Sequence, residues 1–284
     1  MEYILHILIF TCFYILLSQS LNIAAGYTGL ISLAHAGFYG IGAYTTAILS
    51  TKWGLSFWLN LPLAMLVSGA IALLISLIIL RTVEDYFIIC TLGIQVVIFS
   101  IMNNWTGMTN GPLGIPGIPG IRFLGMALDT RIKFLALLLF FVLVVWGILK
   151  NVSRSGFGNT LKAIGEDEIY VQSIGKNVRQ YRVISFTIGA ILAAIPGGLY
   201  AHYVSYIDPA SFTVSESIFI LSIVIIGGLE SLAGSCLSSV FLVMLPEGLR
   251  FLGMSNNTAA GVRQIIYGAI LVLIMLKGNK RIKG

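Results

Sequence analysis

Long apolar stretches follow one another along most of this chain, and they constrain its fold more than any other feature. Seven of them approach or exceed the roughly 20 residues that a helix needs to cross a bilayer. They lie at 3–22, 35–50, 57–80, 86–105, 131–149, 183–203 and 259–276. An eighth, 216–250, is too long for one helix of ordinary tilt and is interrupted by a Gly-rich segment at 227–234. We therefore predict eight or nine membrane passes with one broken segment.

The scarcity of charge agrees with a membrane fold. Only 10 % of the residues are charged, against about 25 % in soluble domains, and the mean hydropathy is +0.95. These values predict one all-α, polytopic transmembrane bundle over 1–284, in contact with membrane lipid. The net charge of +6 then concerns topology, because a nucleic-acid partner would need basic residues clustered on a soluble face. The three cysteines lie far apart within apolar runs and show no metal-ligand spacing.

One long polar stretch, 150–182, separates two apolar stretches. Its middle predicts a short amphipathic helix, since four apolar residues recur at helical spacing on one face. They are Leu161, Ile164, Val171 and Ile174. Glu166, Asp167 and Glu168 lie toward the N-terminal part, where carboxylates suit the helix dipole. Gly175 then supplies a C-terminal stop. The stretch is either a solvated loop or a docking helix, and the stop and the apolar face favour the helix.

The basic residues predict that 150–182 faces the cytoplasm. If the passes alternate, eleven of the 17 basic residues fall on that side, which is the bias expected of cytoplasmic loops. They are Arg81, Lys150, Arg154, Lys162, Lys176, Arg179, Arg182, Lys277, Lys280, Arg281 and Lys283. The longest loop on the outer side, about 106–130, is rich in Gly and Pro, which forbids regular helix and predicts a series of turns. It is either a rigid connector or a surface that receives a partner.

Motifs of enzymes are missing from the sequence. It contains no H-E-x-x-H, no G-x-S-x-G and no phosphate-cradling G-x-x-x-x-G-K-[ST] motif. Transport would therefore be driven by a partner that hydrolyses ATP or by an ion gradient. An ion-coupled carrier needs polar residues within the membrane, and the candidates are Asn22, His35, Gln95, Glu216, Glu230 and Glu247. Several lie at predicted helix ends or breaks, so an interfacial position is favoured over a proton relay.

Two further patterns involve small residues. The segment Gly29-Leu-Ile-Ser-Leu-Ala34 recurs as Gly228-Leu-Glu-Ser-Leu-Ala233, which is either an internal repeat or a coincidence of common residues. Stripes of Gly and Ala along the second and sixth apolar stretches predict close helix packing, or a pathway lined by backbone.

These residues carry a resemblance to a known family. The segment Gly26-Tyr-Thr-Gly-Leu-Ile-Ser-Leu-Ala-His-Ala-Gly-Phe-Tyr-Gly-Ile-Gly-Ala-Tyr44, preceded by Asn22, resembles the opening signature of permease subunits of branched-chain amino acid ABC importers. Ala163-Ile-Gly-Glu-Asp-Glu168, followed by Ser173-Ile-Gly175, is similar to the cytoplasmic coupling loop of that family. In the C-terminal half the matching segments include Tyr200-Ala-His-Tyr203, Ile207-Asp-Pro209, Gly227-Gly228, Gly234 and Pro246-Glu247. The resemblance covers about 20–276 and is closer to the M-type than to the H-type of the two permeases.

The resemblance implies a pore subunit for leucine, isoleucine and valine in the cell inner membrane. It would work with a second permease, two ABC ATPase subunits on the cytoplasmic face and an extracytoplasmic solute-binding protein, and would hold no cofactor itself. The residues implied in ATPase coupling are Glu166, Asp167, Glu168, Ser173 and Gly175. Those implied in the translocation path or in helix packing are Asn22, Gly26, Gly29, His35, Gly37, Gly40, Gly227, Gly228 and Gly234.

The sequence departs from the family pattern at two positions. Gly165 stands where relatives usually carry Arg, and Glu230 stands where a small residue is usual. Two alternative functions stay open at this point. One is a same-family permease for urea, amides, nucleosides or sugars, and the other is a stand-alone ion-coupled secondary carrier.

Overall fold

The computed structural model describes residues 2–80, 84–123, 126–127 and 130–251 as an α-helical bundle. Five of its helices are long and apolar enough to cross a membrane. They are α1 (Glu2–Thr28), α3 (Phe57–Ile79), α4 (Glu84–Asn104), α6 (Arg131–Arg154) and α9 (Val178–Val204). All five coincide with apolar stretches in the sequence. The all-α prediction is confirmed, whereas the count of eight or nine passes is not.

The helices of the other predicted passes differ in length or in polarity. Helix α2 (His35–Lys52) is less apolar because it is surrounded by protein rather than by lipid, and most of its side chains are buried. Helix α10 (Val214–Gly227) has 14 residues, which at 1.5 Å per residue are too few to span about 30 Å of hydrocarbon. Helix α11 (Leu232–Phe251) follows it after a short turn, so the predicted break at 227–234 is present. The predicted pass at 259–276 lies outside the described residues.

Helices α2 and α9 form the centre of the bundle because small residues let their backbones approach closely. A Cβ atom on Gly197 would lie 2.8 Å from the Ala43 amide nitrogen, and one on Gly42 would lie 2.5 Å from the Cα atom of Ala194. Such contacts replace the hydrophobic driving force that is missing between helices in lipid. The predicted stripes of small residues therefore serve helix packing in this pair.

The Gly/Pro-rich loop lies at the end of the bundle opposite the polar stretch. It contains one helical turn, α5 (Thr106–Thr109), a 3-10 turn (Gly111–Leu113) and three short strands, β1 (Ile115–Pro116), β2 (Arg122–Phe123) and β3 (Met126–Ala127). Strand β1 pairs antiparallel with β4 (Tyr206–Ile207), just before the 3-10 turn Pro209–Phe212. The helical turn Thr106–Thr109 lies ahead of the first proline, so the prediction that Gly and Pro exclude regular helix in this loop is wrong for these four residues.

The polar stretch folds into two helices, α7 (Gly156–Glu166) and α8 (Glu168–Ser173), instead of one. The extended backbone of Asp167 divides them, and its carboxylate caps α8 by accepting from the Tyr170 amide at 3.0 Å. Three of the four predicted apolar residues, Leu161, Ile164 and Val171, are buried. The fourth, Ile174, is 56 % exposed because it follows the end of α8.

Candidate functional site

Helix α1 holds the turn between α10 and α11 through one buried amide side chain. Asn22 donates from Nδ2 to the Ser231 carbonyl (3.2 Å) and to the Ser235 hydroxyl (2.7 Å), and its Oδ1 accepts from the Glu230 amide (3.2 Å). Glu230 has a φ of 65°, a left-handed conformation that costs a non-glycine residue about 1–2 kcal/mol. The bonds from Asn22 hold this turn in place.

Helix α7 contacts the same turn from the cytoplasmic side predicted above. The Lys162 Nζ atom lies 3.9 Å from Glu230 Oε2 and 5.6 Å from the centre of the Tyr27 ring. The Tyr27 hydroxyl donates to the Glu230 carbonyl at 3.2 Å. We call Asn22, Tyr27, Lys162, Glu230 and Ser231 the turn junction. It connects α1, the α10–α11 turn and the first helix of the polar stretch.

Two glycines let the elements of the turn junction approach one another. A Cβ atom on Gly26 would lie 2.8 Å from the Glu230 amide nitrogen, so a side chain there would push the turn away from α1. A Cβ atom on Gly165 would lie 2.9 Å from the Tyr27 carbonyl oxygen. Helix α7 is therefore seated directly on the C-terminal end of α1, and the glycine that departs from the family pattern lies at that contact.

Helices α10 and α11 also meet through glycine. A Cβ atom on Gly227 would lie 2.6 Å from the carbonyl carbon of Gly234, and one on Gly234 would overlap the Gly227 carbonyl oxygen. Gly228, between them, has a φ of 90° and starts the turn. The structure therefore brings these three predicted glycines together. Gly227 and Gly234 allow the helices to pack closely, and Gly228 provides the backbone conformation of the turn.

Polar side chains surround the N-terminus of α2, where the first amides of a helix have no partner within it. The Gln95 Oε1 atom accepts from the Gly37 amide at 2.6 Å, while its Nε2 donates to the Phe212 carbonyl at 2.8 Å. The Ser217 hydroxyl accepts from the Ala36 amide at 3.0 Å.

The side chain at the start of α2 is also paired. His35 is 4 % exposed and shares a 2.8 Å hydrogen bond with the Ser20 hydroxyl. One turn later, a Cβ atom on Gly40 would lie 2.9 Å from the Phe212 ring. These predicted residues pack the centre of the bundle.

Gly29 differs from the other predicted glycines in its surroundings. Among the described residues, no atom lies within 4 Å of where its Cβ would be, and the residue is exposed in the loop after α1. Its φ of 71° is what favours glycine here, and the prediction that it lies in the translocation path or in helix packing stays a prediction.

The residues implied in coupling have different surroundings. Glu166 is exposed at the last position of α7 rather than in an N-terminal turn, so the helix-dipole argument is wrong for it. Glu168 starts α8 and pairs with Arg182 at 3.0 Å. Ser173 ends α8 with its hydroxyl on the Tyr170 carbonyl, and Gly175 has the φ of 79° expected of a stop. Within the described ranges, no group of three His, Cys, Asp or Glu side chains could hold a metal ion.

Tyr27, Lys162 and Ser217 are not among the site residues predicted from the sequence. Lys162 contributes there only to the count of basic residues, and Ser217 lies inside an apolar stretch without a distinguishing pattern. Tyr27 had a signal, because it lies within the family segment that starts at Gly26.

Comparison with known proteins agrees with this architecture. Residues 3–275 match the profile of a family described as branched-chain amino acid transport system / permease component. The chain belongs to this family. Together with the five apolar helices, membership places the protein in the membrane. No solved structure matches the chain.

Curated relatives in the family carry transport names. The high-affinity branched-chain amino acid transport system permease protein LivM of Salmonella typhimurium is 35 % identical over 94 % of this chain and 66 % of its own length. LivM of Escherichia coli is 34 % identical over the same shares. The probable permease LivH of Methanocaldococcus jannaschii is 24 % identical over 95 % of this chain and 86 % of its own length. The chain thus spans slightly less than two thirds of the length of the two LivM proteins.

Proposed function

We propose that this chain is the membrane-spanning permease subunit of an ATP-driven ABC importer that translocates leucine, isoleucine and valine. A solute-binding protein delivers the amino acid on the outer side of the cell inner membrane. A second permease subunit and two ABC ATPase subunits on the cytoplasmic side complete the assembly. The ATPases hydrolyse ATP, so this chain needs no cofactor. The names of the relatives support the class of solute, and the family match supports the role of permease.

The observation that carries the proposal is the turn junction. Helix α8 exposes Ile169 (79 %) and Tyr170 (60 %), which offer an apolar surface on the side where ATPases would dock. A force applied there reaches α7 and then Glu230 through Lys162. Since both side chains of that pair are more than a third exposed, it contributes at most about 1 kcal/mol. In the proposal, the ion pair between Lys162 and Glu230 transmits movement and contributes little to stability.

A charge swap tests this transmission in the reconstituted importer. Lys162→Glu should lower the amount of solute imported per ATP hydrolysed by up to about fivefold, the ratio that corresponds to about 1 kcal/mol. Adding Glu230→Lys should restore it, because the backbone bonds of Glu230 do not depend on its side chain. Lys150→Glu, at an exposed position on the same side, is the matched control. An unchanged ratio in Lys162→Glu, with ATPases bound, would remove the turn junction from the coupling route.

Uptake by liposomes tests the proposed function itself. Leucine should accumulate only when the second permease, the ATPases, the binding protein and ATP are all present. Accumulation of leucine by the single chain under a proton or sodium gradient would favour the ion-coupled carrier. ATP-driven uptake of urea, an amide, a nucleoside or a sugar in place of leucine would keep the class and change the solute.

A further inference from the structure

An open pocket of about 390 Å³ lies where α3 ends, between α8 and the start of α9. It is separate from the turn junction. The lining residues that matter here are Leu80, Glu168, Gln172, Lys176, Arg179 and Arg182. All of them belong to the side predicted to be cytoplasmic.

The charges around this pocket do not cancel among the described residues. Glu168 is already engaged, since it pairs with Arg182 at 3.0 Å and accepts from the Gln172 amide group at 2.9 Å. Arg179 donates to a neutral acceptor, the Leu77 carbonyl in the last turn of α3, at 2.6 Å. Neither Arg179 nor Lys176 pairs with a carboxylate among the described side chains. Two exposed cations therefore face the pocket with no counter-ion among the described side chains.

The pocket adjoins a surface that suits hydrocarbon. On the last two turns of α3, Leu74 is 65 % and Ile78 is 73 % exposed, although both are apolar. Leu77 lies between them in sequence, and its carbonyl is the acceptor for Arg179. A ligand seated here would have its negative charge on Arg179 and Lys176 and its apolar part along α3.

We propose that this pocket binds the phosphate headgroup of an anionic phospholipid of the cytoplasmic leaflet, with the acyl chains against α3. Basic pockets between membrane helices on that side suit anionic lipid headgroups, and each nearby cation contributes about 1 kcal/mol. The contact of Arg179 with the end of a membrane helix places its guanidinium at headgroup depth. The inference does not depend on which solute the protein transports.

Lipid binding by the purified full chain tests this proposal. Phosphatidylglycerol and phosphatidylcholine would be titrated into neutral detergent micelles, and bound lipid counted by native mass spectrometry. The pocket variant is Lys176→Gln with Arg179→Gln. The control is Lys150→Gln with Arg154→Gln, which removes the same charge from exposed positions on the same side. We expect roughly 30-fold weaker phosphatidylglycerol binding in the pocket variant, equivalent to about 1 kcal/mol per charge, and unchanged binding in the control.

Further variants and a competing anion distinguish between the possible ligands. Arg179→Lys keeps the charge but loses the present contact with α3, and it should bind phosphatidylglycerol nearly as well as the original chain. If the double variant fails to fold, Lys176→Gln alone provides the readout, and it should weaken phosphatidylglycerol binding about fivefold. Equal weakening in the pocket variant and the control would reduce the effect to general surface attraction and overturn the proposal. Displacement by an equal concentration of inorganic phosphate would identify a soluble anion as the ligand. Unchanged lipid binding together with lost ATPase binding would reassign the pocket as a docking surface.

Discussion

Replacing Asn22 by Ala should loosen the α10–α11 turn from α1 by an amount that the hydrogen bonds allow us to work out. Interhelical hydrogen bonds in membrane proteins contribute about 0.6 kcal/mol on average. Two of the three bonds have substitutes, because Ser231 and Ser235 also bond to each other. Loss of the third bond leaves the Glu230 amide without its acceptor, which costs about 1–3 kcal/mol. The total destabilisation should be about 1–4 kcal/mol, depending on how fully the substitutes replace the first two bonds.

Unfolding by SDS titration in mixed micelles, followed by circular dichroism, measures this loss. The matched control is Asn104→Ala, which removes a single exposed bond from Asn104 to the Ser100 carbonyl and should cost under about 0.5 kcal/mol. Limited proteolysis should also cut the Asn22→Ala variant near residues 228–231 sooner than the original chain. Equal losses of unfolding free energy in the two variants would refute the idea that Asn22 holds the turn.

Three further substitutions test the packing and the backbone. Gly227→Ala should separate α10 from α11 and lower the unfolding free energy by more than about 2 kcal/mol in the same titration. The control is Gly93→Ala, inside α4 with no described atom near its Cβ position, which should leave the unfolding free energy unchanged or raise it by up to about 1 kcal/mol. Gly29→Ala should cost about 1 kcal/mol through its positive φ alone, and Gly29→Asn should recover most of that loss. Gln95→Leu keeps the volume but removes two buried hydrogen bonds at the start of α2, and should cost about 1–3 kcal/mol. A neutral Gln95→Leu variant would show that water or other groups replace these bonds.

The sequence predicted the elements whose signal is local. Apolar length placed the long membrane helices, and the Gly-rich segment at 227–234 placed the break between α10 and α11. The family motif pointed to Asn22 and to the glycines that now surround the turn. Each of these signals lies within a few neighbouring residues, which is why the sequence alone could carry it.

Contacts between distant segments could not be predicted in the same way. Nothing near Lys162 indicates that its partner is Glu230, because the pair forms only when α7 is seated on α1. The division of α7 from α8 was missed because the apolar spacing continues across Asp167, and only its capping bond shows that it starts a new helix. Gly29 and Gly227 both read as packing glycines, yet one has open space around it and the other touches a neighbouring backbone.

The start of α2 has a consequence for how the chain is made. Its first amides find acceptors on Gln95 and Ser217, which are synthesised well after α2 itself. A nascent chain that stops between residues 95 and 217 therefore has the acceptor of the Gly37 amide but lacks the acceptor of the Ala36 amide. The start of α2 is thus completed in two steps, and the second step waits for the synthesis of α10.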